Sequence, residues 1–168
     1  MYAGPDIFVL VKSRNNSYIR DTNSHIMFDS NHFHPSMVHF PIALIAVGFF
    51  FDLYGVLSGK DKCLSVTGYR LELLGMIGTV LAYGTGYFFT STMEGEGEVV
   101  RAEHELFATI SLITVIVATL FRTVLNYLGK DNTRLKYVSL SMYLLSMIFI
   151  LLTGYLGGIL VINYMIGL

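Results

Sequence analysis

The sequence predicts an all-α protein, an integral membrane four-helix bundle with a short extracytoplasmic N-terminal segment. Hydrophobic residues make up 54% of the 168 residues and charged residues only 14%, whereas charged residues make up roughly 25% of an average soluble domain. The apolar residues are concentrated in four stretches of about 20 residues, the length that a helix needs to cross a hydrocarbon core. Because lipid offers no hydrogen bonds to a peptide backbone, each stretch is expected to be a helix.

Residues 1–33 differ from the rest of the chain because they are polar and carry mixed charges. An apolar run within them, from Ile7 to Val11, is too short to cross a membrane and is compatible with one strand. No signal-peptide pattern precedes this run. We therefore predict a peripheral segment over 1–33, ordered by contact with the helices or with a partner, and a membrane domain over 34–168.

The four helices are predicted over about 38–57, 71–90, 106–128 and 137–162. Asp52 in the first helix and Arg122 in the third are expected near the cytoplasmic ends, where snorkelling to the headgroups accounts for such charges. The last apolar run is longer than a straight crossing requires, and a change of course is expected at Gly157–Gly158.

The loop charges predict the orientation of the bundle. Basic residues gather after the first helix and around the end of the third, and basic residues next to spans favour the cytoplasm. Both termini are therefore expected outside the cytoplasm, in a bacterial inner (plasma) membrane that the chain crosses several times. Since successive helices reverse direction, the outer ends of the four helices bring one group of side chains to a common level: His34, His39, Glu103, His104 and Tyr164.

Histidines at membrane depth are candidate functional groups because burying an ionisable side chain there is costly. His39 and His104 are predicted at one depth on two helices, beside faces of small residues. Such faces first of all allow close helix packing, but they also leave room for a flat macrocycle with an imidazole on each side of its iron. We therefore predict a b-type haem (haem b) near the outer face, with His39 and His104 as ligands of the iron, and with His34 and Tyr164 as further cofactor-binding candidates.

Two other interpretations of the histidines remain open. Each ring could serve only as a hydrogen-bonding group between helices or at the headgroups. Alternatively, zinc or copper could bind to the three histidines and Glu103, although His34 and His39 lie about 140° apart around a helix. Cys63 is the only cysteine, which excludes an intrachain disulfide and a cysteine-based metal cluster.

Several motifs resemble a family of bacterial four-helix membrane proteins known as domain of unknown function 2231. The first motif is His34-Pro35-x-x-Val38-His39-Phe40-Pro41-Ile42-Ala43-Leu44, followed by Asp52 near the end of the helix. Shorter matches are Thr85-Gly86 in the second helix and His104-Glu105 at the start of the third. The last motif is Thr153-Gly154-x-x-Gly157-Gly158-x-Leu160-Val161. The resemblance covers about residues 34–168, and its first and last motifs are the specific ones.

The resemblance implies a link to electron transfer, because some relatives are joined to modules similar to c-type cytochromes. One position departs from the family pattern, since Tyr164 stands where relatives have a histidine. If that histidine binds a cofactor in relatives, this chain has lost the ligand or uses Tyr164 or Met165 in its place.

We therefore predict a haem-binding, electron-transferring subunit of a larger respiratory or photosynthetic-type complex. Its expected partners are the lipid bilayer, other membrane subunits of a redox complex and a c-type cytochrome. The alternative is a cofactor-free structural or assembly subunit of a membrane complex. No nucleophile–base pair is found in the helices, so no catalytic residue is assigned, and catalysis of its own is not expected. The basic residues form no aromatic-studded patch, which argues against nucleic-acid binding.

Overall fold

The computed structural model describes residues 8–12, 17–21, 30–59, 62–89, 95–129 and 132–164. The predicted helical bundle is confirmed. It consists of four long helices: α1 (Ser30–Ser58), α2 (Lys62–Phe89), α3 (Glu96–Tyr127) and α4 (Thr133–Tyr164).

The helices end within two residues of the predicted positions but begin earlier than predicted, by as much as ten residues in α3. The physical reason is that hydrophobicity marks only the part of a helix inside the hydrocarbon core, whereas the helix continues into the interface. The expected change of course at Gly157–Gly158 does not interrupt the secondary structure, because α4 is helical through both glycines and up to Tyr164. The helix α1 begins at Ser30, and the predicted division into a peripheral segment over 1–33 and a membrane domain over 34–168 stays a prediction.

The N-terminal segment contains a two-stranded antiparallel sheet of β1 (Phe8–Lys12) and β2 (Ser17–Asp21). Phe8 pairs with Asp21 at one end of the sheet, and Lys12 pairs with Ser17 at the other. The sequence predicts the first strand from its apolar run. It does not predict the second, because Ser17–Asp21 mixes polar and charged residues with only two hydrophobic ones. The expected contact of this segment with the helices or with a partner stays a prediction.

Three helices, α1, α3 and α4, are long and apolar enough to cross a membrane. The glycines, threonines and tyrosines of α2 make it less apolar. However, α2 runs beside α1 from end to end, because Ser65 lies against Gly55 near one end and Gly86 lies against His34 near the other. The two helices therefore lie side by side along their length, and the fourth membrane crossing that the sequence predicts, by α2, stays a prediction.

Close packing of α1 and α2 depends on glycines, as the small-residue stripes predict. A Cβ atom on Gly68 would lie 2.6 Å from the backbone nitrogen of Asp52 and 2.7 Å from the carbonyl oxygen of Gly48. Nearer the other end, Gly75 faces Ile45 and Gly78 faces Pro41. The backbones of the two helices are therefore in direct contact, which small residues allow in membrane proteins.

The middle of the bundle is filled by apolar side chains and one tyrosine. This core contains Ile45, Phe49, Val115, Leu140, Tyr143 and Ile150. Large apolar side chains also cover the outside of all four helices, as a lipid-facing surface requires. A polar cluster lies on each side of the core. We call the end with the starts of α1 and α3 the histidine end, and the opposite end the ion-pair end.

Candidate functional site

Two histidines meet at the histidine end. His34 near the start of α1 and His104 near the start of α3 have ring centroids 6.4 Å apart, and their planes are inclined by 81°. Both rings are partly buried. The alternating directions of the helices predict that the starts of α1 and α3 lie at one level, and the structure does bring two imidazoles together there.

A hydrogen bond from a neighbouring helix orients each ring. The Nδ1 atom of His34 lies 3.0 Å from the Thr85 hydroxyl of α2, and this hydroxyl donates its own hydrogen to the carbonyl of Ala82. The Nδ1 atom of His104 lies 3.0 Å from the carbonyl oxygen of Thr153 on α4. A carbonyl oxygen can only accept, so Nδ1 of His104 is a donor, and Nδ1 of His34 is a donor when the Thr85 hydroxyl gives its hydrogen to Ala82.

This pattern determines the chemistry that the pair offers. A neutral imidazole whose Nδ1 carries the hydrogen has its lone pair on Nε2. Both rings, when neutral, are therefore in the tautomer in which Nε2 can act as a ligand. A hydrogen bond from the other ring nitrogen to a protein oxygen is the usual way in which proteins orient a metal-binding histidine.

Two glycines make room for the rings. A Cβ atom on Gly86 would lie 3.0 Å from Cε1 of His34, and one on Gly157 would lie 3.2 Å from Cε1 of His104. The Thr85-Gly86 motif thus supplies both the hydroxyl and the space for one ring. The Thr153-to-Gly157 motif does the same for the other.

His39, which was predicted with His104 as a ligand of the haem iron, is not brought to this pair. Its side chain is exposed on α1, and its Nδ1 bonds to the carbonyl oxygen of Pro35 in its own helix at 2.7 Å. The reason lies in the helix period. Gly48 lies 14 residues, two heptads, after His34, so His34 shares the face that packs on α2. His39 instead shares its face with exposed residues such as Phe50.

Tyr164 and Glu103 are not brought to the pair either. Tyr164 is the last residue of α4, seven residues beyond Gly157, which corresponds to about 10 Å along a helix. Glu103 is exposed on α3. Among the described residues, no group of three or more histidine, cysteine or acidic side chains could hold a metal ion. The zinc or copper set is therefore not assembled there.

The polar cluster at the ion-pair end corrects the interpretation of Asp52 and Arg122. Both side chains are buried, with 1% and 8% of their surface exposed, so neither extends towards the headgroups. Arg122 donates two hydrogen bonds to the Asp52 carboxylate, at 2.8 and 3.0 Å. The Ser65 hydroxyl also donates to Asp52, at 2.5 Å, and Arg122 reaches Ser65 at 2.8 Å and Ser139 at 3.4 Å.

The sequence contains a signal for this ion pair. Asp52 lies between Gly48 and Gly55 on the face of α1 that contacts α2, and a charge on a small-residue face points into a bundle. On α3, Arg122 lies 11 residues after Ser111 on the buried face. The periodicity therefore indicates that both charges lie inside the bundle and pair there. Their closeness to the helix ends suggests instead that they extend to the headgroups.

Comparison with known proteins supports the family resemblance. A family model described as "Predicted membrane protein (DUF2231)" matches residues 31–168, a range that includes His34, His104 and nearly all of the four-helix bundle. No curated protein and no solved structure matches the chain. Because the family model covers most of the sequence and all of its membrane-spanning helices, the chain belongs to the DUF2231 family of predicted membrane proteins.

Proposed function

We propose that this membrane protein is an electron-transfer subunit that binds a b-type haem through His34 and His104. The observation that carries the proposal is the pair of facing imidazoles, each held through Nδ1 by a different neighbouring helix. His34 takes the place that the sequence suggested for His39, because His34 is the histidine of α1 on the interior face.

The spacing of the rings is compatible with a shared iron. Imidazole nitrogens bind metals at about 2 Å, so two rings on opposite sides of one metal have centroids roughly 6 Å apart. The observed separation of 6.4 Å agrees with this value. Gly86 and Gly157 lie beside the rings, and a larger residue at either position would crowd the neighbouring ring.

The number of donors also favours haem over a bare metal ion. A structural zinc site needs four protein ligands and a catalytic one needs three, whereas a haem iron, already bound by four porphyrin nitrogens, needs only axial ligands. Two imidazoles without a third ligand in the described residues therefore suit haem best. A bound haem would supply one-electron redox chemistry.

The chain's own residues would set the properties of such a site. The bonds to Thr85 and Thr153 fix the ring orientations and make the imidazoles stronger donors. The Thr153 hydroxyl donates to the Phe149 carbonyl of its own helix and contacts α3 through the hydroxyl of Ser111, 2.9 Å away. The surrounding apolar helices would exclude water and so favour the less charged state of the cofactor.

We further propose that the histidine end faces the outside of a bacterial inner membrane, as the loop charges predict. In that position the site could exchange electrons with a c-type cytochrome. The apolar outer surface would contact lipid and the other membrane subunits of a respiratory or photosynthetic-type complex.

Visible spectroscopy tests the haem proposal directly. Protein purified from cells supplied with haem is expected to show the reduced-minus-oxidised bands of a b-type cytochrome. His34→Ala and His104→Ala should abolish these bands, and the matched variant His39→Ala should keep them. Circular dichroism would verify that each variant remains helical. Bands that are missing from the wild-type protein, or that persist in a folded His34→Ala variant, would refute the proposal.

A cofactor-free structural or assembly subunit is the second candidate function. The observation in its favour is that each ring already joins two helices, α1 to α2 through Thr85 and α3 to α4 through Thr153. The histidines would then stabilise the bundle through hydrogen bonds between helices. This candidate predicts a wild-type protein without visible absorption, which is released from membranes as part of a larger complex in native mass measurements.

A further inference from the structure

A buried carboxyl group without a cationic partner of its own lies next to the ion pair. Glu72 on α2 has only 2% of its surface exposed. Asp52 of α1 and Arg122 of α3 are the charged groups within electrostatic reach of it. Arg122 directs both terminal nitrogens of its guanidinium to the Asp52 carboxylate. Two buried carboxyl groups therefore share one cation.

The hydrogen bonds around Glu72 do not suit a carboxylate anion. Its one contact with a hydroxyl is to Thr119 of α3, at 3.5 Å. Thr119 has a single hydrogen, and its bond of 2.7 Å to the Val115 carbonyl is much shorter, so the hydrogen points to Val115. A carboxylate anion at Glu72 would therefore have Thr119 as a donor only at 3.5 Å, and no closer hydrogen-bond donor among the described residues.

The fourth helix contributes a neutral group to the same region. Tyr143 on α4 is 1% exposed, and within the described part of the chain its hydroxyl has no hydrogen-bond partner. This hydroxyl lies against Gly48 of α1, one turn from Asp52. The surroundings of Glu72 thus hold one ion pair, one threonine and one tyrosine, and no second cation among the described residues.

From this arrangement we propose that Glu72 is a proton-binding site, which holds an exchangeable proton as a neutral carboxylic acid inside the bundle. An unpaired ionised carboxylate in this position would have to bear the desolvation cost of a buried charge. Binding one proton removes that cost and leaves the Asp52–Arg122 pair electrically neutral.

The structure also indicates the side from which the proton exchanges. Glu72 lies ten residues into α2, or about 15 Å from its start. Ser65 lies about 5 Å from that start, and with the ion pair and Ser139 it forms a polar layer between Glu72 and the ion-pair end. Towards the histidine end the side chains are mostly apolar, including Ile45 against Gly75, and the buried hydroxyls of Ser146 and Thr79 there donate to carbonyls of their own helices. Exchange is therefore expected through the ion-pair end.

Infrared spectroscopy of the full chain in lipid nanodiscs tests this proposal. At neutral pH the wild-type protein should show the carbonyl stretch of a protonated carboxylic acid, and the band should shift to lower frequency in D₂O as the proton exchanges. Glutamate labelled with ¹³C at its carboxyl carbon should also lower the frequency. Glu72→Gln should remove the band, whereas Glu103→Gln, which changes an exposed glutamate of α3, should keep it.

Each other outcome overturns the proposal. Absence of the band from the wild-type protein would mean that Glu72 is ionised. A band that ignores the glutamate label would place the proton on an aspartate, and a band that ignores D₂O would mean that the proton does not exchange. The labelling experiment uses the unaltered protein, so it assigns the band to a glutamate even if Glu72→Gln fails to fold, and Glu72 is the one buried glutamate among the described residues.

Discussion

Arg122 on α3 and Asp52 on α1 form a bidentate ion pair inside the bundle, with nitrogen–oxygen distances of 2.8 and 3.0 Å. The element contacts of the bundle are most extensive between α1 and α2 and between α3 and α4. The ion pair therefore connects the two helix pairs, and Ser65 of α2 and Ser139 of α4 complete the connection by bonding to Arg122. One guanidinium thus contacts side chains from all three other helices.

Asp52→Asn is expected to destabilise the protein strongly, by about 3 kcal/mol or more, because it removes the carboxylate that is hydrogen-bonded to the buried Arg122 guanidinium. Thermal unfolding in detergent, followed by circular dichroism, would measure the loss. Glu105→Gln is the control, since it removes a partner of Arg101 that lies exposed at 3.4 Å, and such surface pairs contribute little. Equal melting temperatures for the two variants would contradict the structural role of the ion pair.

Gly68→Ala is expected to separate α1 from α2 and to cost about 1–3 kcal/mol, as added methyl groups do in tightly packed interiors. The new Cβ would meet the backbones of Asp52 and Gly48, which cannot move independently of α1. Gly84→Ala is the matched control on the same helix, because nothing lies within 4 Å of its Cβ position. The control should keep or slightly raise the melting temperature. A Gly68→Ala variant as stable as the control would show that the helices are not packed this closely.

Much of the fold can be predicted from the sequence, because the length and spacing of the apolar stretches fix the number of helices and the common level of their ends. The identity of the histidine partner of His104 is harder to predict. His39 lies within the apolar stretch and therefore looks like the deeper residue. The 14-residue spacing from His34 to Gly48, two heptads, selects His34, and its meaning becomes evident only once Gly48 is known to face α2. The tertiary packing, rather than hydrophobicity, decides which histidine faces inwards.

The interior position of the ion pair is also harder to predict from the sequence than its depth. Depth along a helix can be estimated from the sequence, and both Asp52 and Arg122 do lie within two turns of a helix end. Rotation about the helix axis determines whether such a charge extends to the headgroups or pairs inside the bundle. For α1 that rotation is set by its glycine contacts with α2, and the periodicity of each helix indicates the rotation, whereas depth alone does not.

Thr85→Val is expected to weaken haem binding by about 10–100-fold, if His34 is a ligand as we propose, because the substitution removes the oxygen that orients the ring. Titration of haem into the purified apoprotein would measure the affinity. Thr114→Val is the control, since Thr114 bonds only to carbonyls of its own helix. Equal haem affinities for the two variants would remove Thr85 from the site.

Two adjacent glycines of α4 allow a test of the histidine pair that does not depend on haem. A Cβ atom on Gly157 would lie 3.2 Å from Cε1 of His104, whereas a Cβ atom on Gly158 would have nothing within 4 Å. Gly157→Ala should therefore push the imidazole by a few tenths of an ångström. This displacement weakens its bond to the Thr153 carbonyl because hydrogen bonds depend steeply on geometry.

In the nuclear magnetic resonance spectrum of protein with ¹⁵N-labelled histidine, the ring signals of His104 should shift in Gly157→Ala and stay in place in Gly158→Ala. Both variants should keep the wild-type signals of His39, whose ring bonds within α1. If the His104 signals respond equally to both substitutions, the ring does not lie against Gly157, and the geometry on which the haem proposal depends is wrong.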